Sequence, residues 1–133
     1  MYGLPPDFDY SIFPGKRVYA VCFYEFGIYI NFEEGLSIAI DGSYSHQISS
    51  ANVRQAWWRA WASLSAEDAE VFRVPVTESK LMQLTGKIVE SAEAEDPNTL
   101  LVRFTDGQVL KCFDDTKWYE CFRIIYNGKE TIV

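Results

Sequence analysis

Two stretches of this chain carry one pattern. Ile28 to Gly42 reads IYINFEEGLSIAIDG, and Leu100 to Asp115 reads LLVRFTDGQVLKCFDD. Aligned on a shared Phe and Gly, Phe32 meets Phe104 and Gly35 meets Gly107. Glu34 meets Asp106, Ile30 meets Val102, Ile38 meets Leu110 and Ile40 meets Cys112. Upstream, Gly15-Lys16-Arg17-Val18 resembles Gly86-Lys87-Ile88-Val89 after a one-residue slip. The slip falls where EFG faces EDPN, and a loop is expected to absorb it. An internal repeat ties the two halves together: what one copy folds into, the other is expected to fold into as well.

Each unit, about residues 15–42 and 86–115, reads as three strands. The first follows Gly-Lys. The second alternates, with Leu100, Val102 and Phe104 on one face and Leu101, Arg103 and Thr105 on the other. A turn on Glu34-Gly35 or Asp106-Gly107 reverses the chain, because glycine takes positive φ without a Cβ clash. The third strand points Ile38 and Ile40, or Leu110 and Cys112, to one side. Period-two alternation of this kind buries one face of an antiparallel sheet. After the second unit, Trp118 to Tyr126 reads as a strand, Asn127-Gly128 as a type I′ turn, and Lys129 to Val133 as the returning strand. Between the units, Val53, Trp57, Ala60, Trp61 and Leu64 recur at helical spacing. Leu81 and Leu84 suggest a second, shorter helix ending at Gly86. The expected fold is therefore α+β: two repeated three-stranded antiparallel meanders, a helical connector over about 50–84, and a C-terminal hairpin. The length of 133 residues suits a single domain, 1–133.

The net charge is −7, which repels phosphate backbones and disfavours nucleic-acid binding. It suits a basic protein partner. Cys22, Cys112 and Cys121 are odd in number and form no CxxC pair, so no disulfide framework is expected. The opening residues carry no basic and apolar leader pattern, and no apolar run is long enough to span a bilayer. A cytoplasmic protein without membrane contact follows as the expectation.

Few residues carry chemistry. His46 is the only histidine, and it lies in the polar segment GSYSHQISS, which reads as a surface or capping position. The cysteines and His46 show no chelating spacing, so neither metal nor cofactor is expected. Asp114 and Asp115, with Tyr119 and Glu120 close behind, pair carboxylates, though Asp41-Gly42 at the matching place in the first unit favours a turn. Trp58, beside Arg54 and Arg59, points away from the face shared by Trp57 and Trp61. Exposed, it would anchor an interface.

The chain from Leu81 onward resembles small bacterial proteins of unknown function. The shared pattern is Leu84, Gly86 and Val89, then Thr99 and Leu100, then Phe104, Asp106 and Gly107, then Asp114, Asp115, Tyr119 and Glu120, and an ending at Ile132 and Val133. Some of those proteins are suspected to be immunity proteins, which neutralise a toxin passed between bacteria. The resemblance implies no enzymatic activity and no catalytic residues.

The expected function is a non-enzymatic protein-binding domain that blocks a basic partner, such as a toxin, by occlusion. The candidate contacts are Glu33, Glu34 and Asp106 at the hairpin tips, the group Asp114, Asp115 and Glu120, and the aromatics Trp58 and Trp118. The alternative is a small-ligand site or small enzyme with a pocket between the two units, lined by His46, Asp115, Tyr119 and Glu120. A homodimer through a strand edge or the Trp-bearing segment is a further expectation.

Overall fold

Gly15 and Gly86 both hold φ near +84°, each ending a 3-10 segment that leads into the first strand of its unit. The computed structural model describes residues 2–24, 27–48, 52–56 (backbone only), 80–116 and 120–133. Among them the strands are β1 (Val18–Tyr24), β2 (Gly27–Phe32), β3 (Leu36–Ile40), β4 (Ser43–Gln47), β5 (Asn52–Ala56), β6 (Val89–Asp96), β7 (Thr99–Phe104), β8 (Val109–Phe113), β9 (Phe122–Tyr126) and β10 (Lys129–Ile132). They form two five-stranded antiparallel sheets, sheet 1 ordered β1-β2-β3-β9-β10 and sheet 2 ordered β5-β4-β8-β7-β6.

The α+β expectation is corrected by this architecture, which is nearly all β. Among the described residues the helical segments are short 3-10 turns, Tyr10–Ile12 and Lys80–Leu84. Val53, where the helical spacing was to begin, stands in β5, hydrogen-bonded along β4. A ready-made strand partner outweighs a local helical pattern. Trp57, Ala60, Trp61 and Leu64 lie outside the described residues. Leu81 and Leu84 do point inward, both fully buried, and their three-residue spacing fits the 3-10 turn they occupy.

Both units form three-stranded meanders, β1-β2-β3 and β6-β7-β8, with matching irregularities. A bulge between Val18 and Ala20 recurs between Val89 and Ser91. The one-residue slip is not absorbed by a loop. Tyr24 pairs with Gly27, and Asp96 pairs with Thr99, so both hairpins have two-residue links. The extra residue is Glu95, placed by a second irregularity between Ala94 and Asp96 inside β6.

The hairpins that follow each meander are exchanged. β4, from the first half, pairs with β8, and β9, from the second half, pairs with β3. The Asp41-Gly42 link between β3 and β4 would by itself suggest a local hairpin. Such a hairpin would set Ile38 opposite Ser45 and turn Tyr44 and His46 to the outer face. Crossing to the other sheet instead sets Tyr44 against Cys112 and His46 against Leu110, with Tyr44 in the core. Gly42 permits the crossing. Its N–H donates to the Cys121 carbonyl at 2.8 Å, and a Cβ there would lie 3.3 Å from Cys121.

At one corner the sheets touch through an antiparallel bridge. Gly15 N donates to Val89 O (2.9 Å), and its counterpart Gly86 N donates to Val18 O (2.7 Å). Val18 N reaches Lys87 O and Val89 N reaches Lys16 O, both at 2.9 Å. Between them Arg17 pairs with Ile88, its own counterpart in the repeat. The halves are thus related by an approximate twofold axis through this bridge. The space between the sheets is filled by one apolar cluster that includes Phe13, Phe32, Ile38, Ile40, Tyr44, Leu84, Val102, Phe104, Leu110, Phe122 and Ile124.

Candidate functional site

The approximate symmetry acts as an internal control. A residue type that both halves share answers to the fold. A position where they differ in chemistry is one the fold does not dictate. Several positions differ in this way, and two sets of them gather in one place each.

The first set lies at the inner end of β4. His46 faces Leu110, and Ile124 of β9 faces Ile38, the counterpart of Leu110. Beside them Gln108 takes the place that Leu36 holds in the other half. Leu36 and Ile124 are buried and apolar, whereas His46 and Gln108 are buried and polar. The polar pair is joined by a 2.8 Å hydrogen bond between His46 Nε2 and Gln108 Oε1. The amide nitrogen of Gln108 donates to Asp106 Oδ2 (2.8 Å) and to the Gln83 carbonyl (3.0 Å). With its nitrogen so used, Gln108 turns its oxygen to the imidazole, and His46 must carry its proton on Nε2. Lys87 Nζ lies 3.7 Å from Asp106 Oδ2, completing a polar chain from the core to the surface. Burial pushes the His46 imidazole below its ordinary range, against the opposing pull of the Gln108 hydrogen bond and the Asp106 charge. His46 is therefore neither a surface nor a capping residue.

The second set is the edge of each sheet. β1 and β6 occupy matching edges. Tyr19, Cys22 and Tyr24 of β1 correspond to Glu90, Glu93 and Asp96 of β6, and Glu95 is the inserted residue. Tyr19 and Tyr24 are 62% and 54% exposed, and all four acids are exposed. Arg103 Nη1 meets Glu93 at 2.7 Å, and Lys111 Nζ meets Glu95 at 2.8 Å. Asp96 accepts from Asn98 N (2.8 Å) and Thr99 Oγ1 (3.1 Å), which tightens the hairpin.

The other acids singled out in the sequence are mostly engaged within the chain. Glu33 is bound by Arg17 (2.6 Å), and Glu34, at φ +61°, by Lys16 (3.0 Å). The Lys16–Glu34 pair matches Lys87–Asp106 in the other half, so these hairpin-tip charges belong to the repeated scaffold. Asp114 accepts from Gly3 N at 2.8 Å and from the Cys121 thiol at 3.5 Å, and so fastens the N-terminal segment to sheet 2. Asp115 is exposed just beyond β8. Glu120, also exposed, acts on Asp41. Burial raises the Asp41 carboxyl, Arg123 opposes this, and the Glu120 charge adds to it. Trp58, Trp118 and Tyr119 lie outside the described residues.

Of the pocket expected from His46, Asp115, Tyr119 and Glu120, His46 and Asp115 are set apart along the sheet, and Tyr119 lies outside the described residues. Along β4, Tyr44 faces Cys112 near the Asp115 end of β8, and His46 lies two residues further away, beside Gln108. Matching clefts instead lie beside the 3-10 segments. One, of about 420 Å³, is lined by Met82, Gln83, Thr85, Lys87, Asp106 and Gln108 with Ile48. Its counterpart, of about 470 Å³, is lined by Ile12, Ile124, Tyr126, Lys129 and Thr131 under the Pro5–Asp9 segment. Cys112 is fully buried, and desolvation drives its thiol far above the ordinary range, which suppresses the reactive thiolate.

Sequence reasoning passed over Gln108 and the β6 acids. The signal was present in the repeat alignment, which sets Gln108 against Leu36 and Glu90 against Tyr19. No protein-family model, curated protein or solved structure matches the chain.

Proposed function

We propose that the chain is a non-enzymatic protein-binding domain that takes a basic protein partner on the acidic edge of sheet 2 and blocks it by occlusion. In a bacterial cytoplasm this is the role of an immunity protein, as the resemblance of the C-terminal half implies. The observation that carries the reading is the replacement of Tyr19, Cys22 and Tyr24 by Glu90, Glu93 and Asp96 at matching edge positions, with Glu95 added. The first half forms the same meander without any of these charges, so folding does not call for them. Acids along an edge repel another acidic strand. Glu93 and Glu95 already meet Arg103 and Lys111, so a cationic partner is drawn to this edge chiefly through Glu90 and the net charge of −7, which extends the attraction into solution. The filled apolar space between the sheets favours surface recognition over a buried substrate pocket.

The test is association kinetics with cationic proteins, toxins encoded beside the gene first among them. The on-rate is expected to fall steeply with added salt. Glu90→Lys should lower it roughly threefold or more at low salt, as loss of a steering charge does. If every cationic candidate fails to bind at low salt, the reading fails.

A further inference from the structure

We propose that the cleft between the Pro5–Asp9 segment and the β9-β10 hairpin is a small-molecule site, and that it takes an apolar α-amino acid as the free zwitterion. The cleft is separate from the acidic edge of sheet 2, and the proposal does not rest on the reading above. Its shape is set by fixed walls. Pro5 and Pro6 restrict φ along the covering segment. Just before them Leu4 is buried, and its N–H donates to the Pro97 carbonyl at 2.7 Å. At the far end Asp9 caps the 3-10 turn by accepting from Ser11 N at 3.0 Å. Across the cleft, β9 and β10 are held to sheet 1 by regular pairing. The volume of about 470 Å³ falls in the usual range for small-molecule clefts. Walls fixed beforehand spare a ligand the cost of ordering them.

The matching cleft in the other half serves as the control. There the polar groups are spent on one another: Gln108 binds His46, Asp106 and the Gln83 carbonyl, and Lys87 lies beside Asp106. Here the same places are apolar, with Ile12 for Gln83 and Ile124 for His46, and Phe8 adds an aromatic wall. Such a floor receives a hydrocarbon or aromatic side chain. The polar residues of this cleft are not spent in the same way. Among the described residues, the side chains of Asp7, Lys129 and Thr131 make no hydrogen bond or ion pair. Lys16, Arg17, Lys87, Arg103, Lys111 and Arg123, by contrast, each meet a carboxylate of the chain. Asp7 stands on the covering segment and Lys129 on β10, so an acid and a base line the cleft from different elements. An equidimensional cleft of this volume is roughly 8 Å across, the span of an α-amino acid with a charge-assisted hydrogen bond at each end. The ammonium then pairs with Asp7 and the carboxylate with Lys129, with the Thr131 hydroxyl as a further donor. A plain amine or a plain acid would answer only one of the two charges. A polar side chain would be set against Ile12 and Ile124 without a partner.

The experiment is an NMR chemical-shift titration of the full, isotope-labelled chain with L-phenylalanine and L-leucine, and with phenethylamine, phenylpropionate and glycine as partial ligands. At least one of the two amino acids is expected to bind with a dissociation constant below about 1 mM, shifting amides of the covering segment and of β10. Each partial ligand should bind about threefold to tenfold more weakly, because it lacks one charge or the apolar body. Asp7→Asn and Lys129→Gln, both at exposed positions, should each weaken the amino acid by a similar factor of about threefold to tenfold. Lys129→Gln should leave phenethylamine unaffected. Lys80→Gln, an exposed lysine in the other half, should change nothing. Circular dichroism and thermal melting confirm that the variants fold. Absence of shifts with either amino acid up to about 10 mM overturns the proposal. So do shifts confined to other parts of the chain, a partial ligand that binds as well as the amino acid, or binding that tolerates both Asp7→Asn and Lys129→Gln.

Discussion

The first and second halves of this molecule share a backbone plan down to a bulge, a 3-10 lead-in and a lysine–carboxylate pair at the hairpin tip. They part at several positions, two groups of which lie close together. Inside, Leu36 and Ile124 on one side face the duty that Gln108 and His46 perform on the other. Outside, the tyrosines of β1 stand where β6 carries acids. The lesson is that one framework accepts both chemistries. Apolar side chains suffice for the inner positions of sheet 1, so the polar pair reflects a demand placed on sheet 2 alone.

That comparison can be broken by treating the halves alike. Phe32→Ala and Phe104→Ala remove matching, fully buried rings. Each should cost about 3–5 kcal/mol in denaturant unfolding, from lost burial and the cavity left behind. Near-equal losses would confirm that the halves share one cooperative core. A large inequality would show that they are energetically unlike despite their common shape.

The inner difference can be erased by a double-mutant cycle. His46→Ile alone leaves Gln108 Oε1 without its buried donor and should cost roughly 1–3 kcal/mol. Gln108→Leu alone strands the imidazole and should cost a similar amount. The double variant copies sheet 1, and should recover most of the loss or exceed the unaltered protein in stability. If the double variant is as unstable as the sum of the singles, the two halves are not interchangeable at this point.

A smaller effect follows from pH. The folded imidazole sits below its ordinary value because burial disfavours the charged form. Unfolding then takes up a proton on the acid side, so this contribution is present above about pH 6.5 and is lost as pH falls through the folded value. The unaltered protein should lose stability relative to the double variant between pH 7 and pH 5, measured by urea midpoints in each. A gap that does not change with pH would mean that His46 titrates normally when folded.

Much of the scaffold could be read from residues. The shared Phe and Gly positions located the meanders, and Asn127-Gly128 located the last turn, where both residues hold positive φ. The helical connector failed at Val53 because period counting weighs only neighbours along the chain, and β5 is held by a partner in β4. The exchange of hairpins was hidden for the same reason. Only the parity of Tyr44 and His46 against Ile38 and Ile40 hinted that Asp41-Gly42 would not fold back locally. The charge of the hairpin tips was legible, but their neutralisation by Lys16, Arg17 and Lys87 required distant residues to be brought into reach.

The traded hairpins bear on how the chain is made. β3 obtains its inner neighbour from β9, close to the C-terminus, and β4 must wait for β8. During synthesis the N-terminal meander would leave the ribosome with one flank bare, and the β4 segment would have no docking place until the second meander emerged. Such distant pairing slows folding. Neither half, cut free, would carry a complete sheet, and a nick near the midpoint should yield two fragments that are soluble and structured only when mixed.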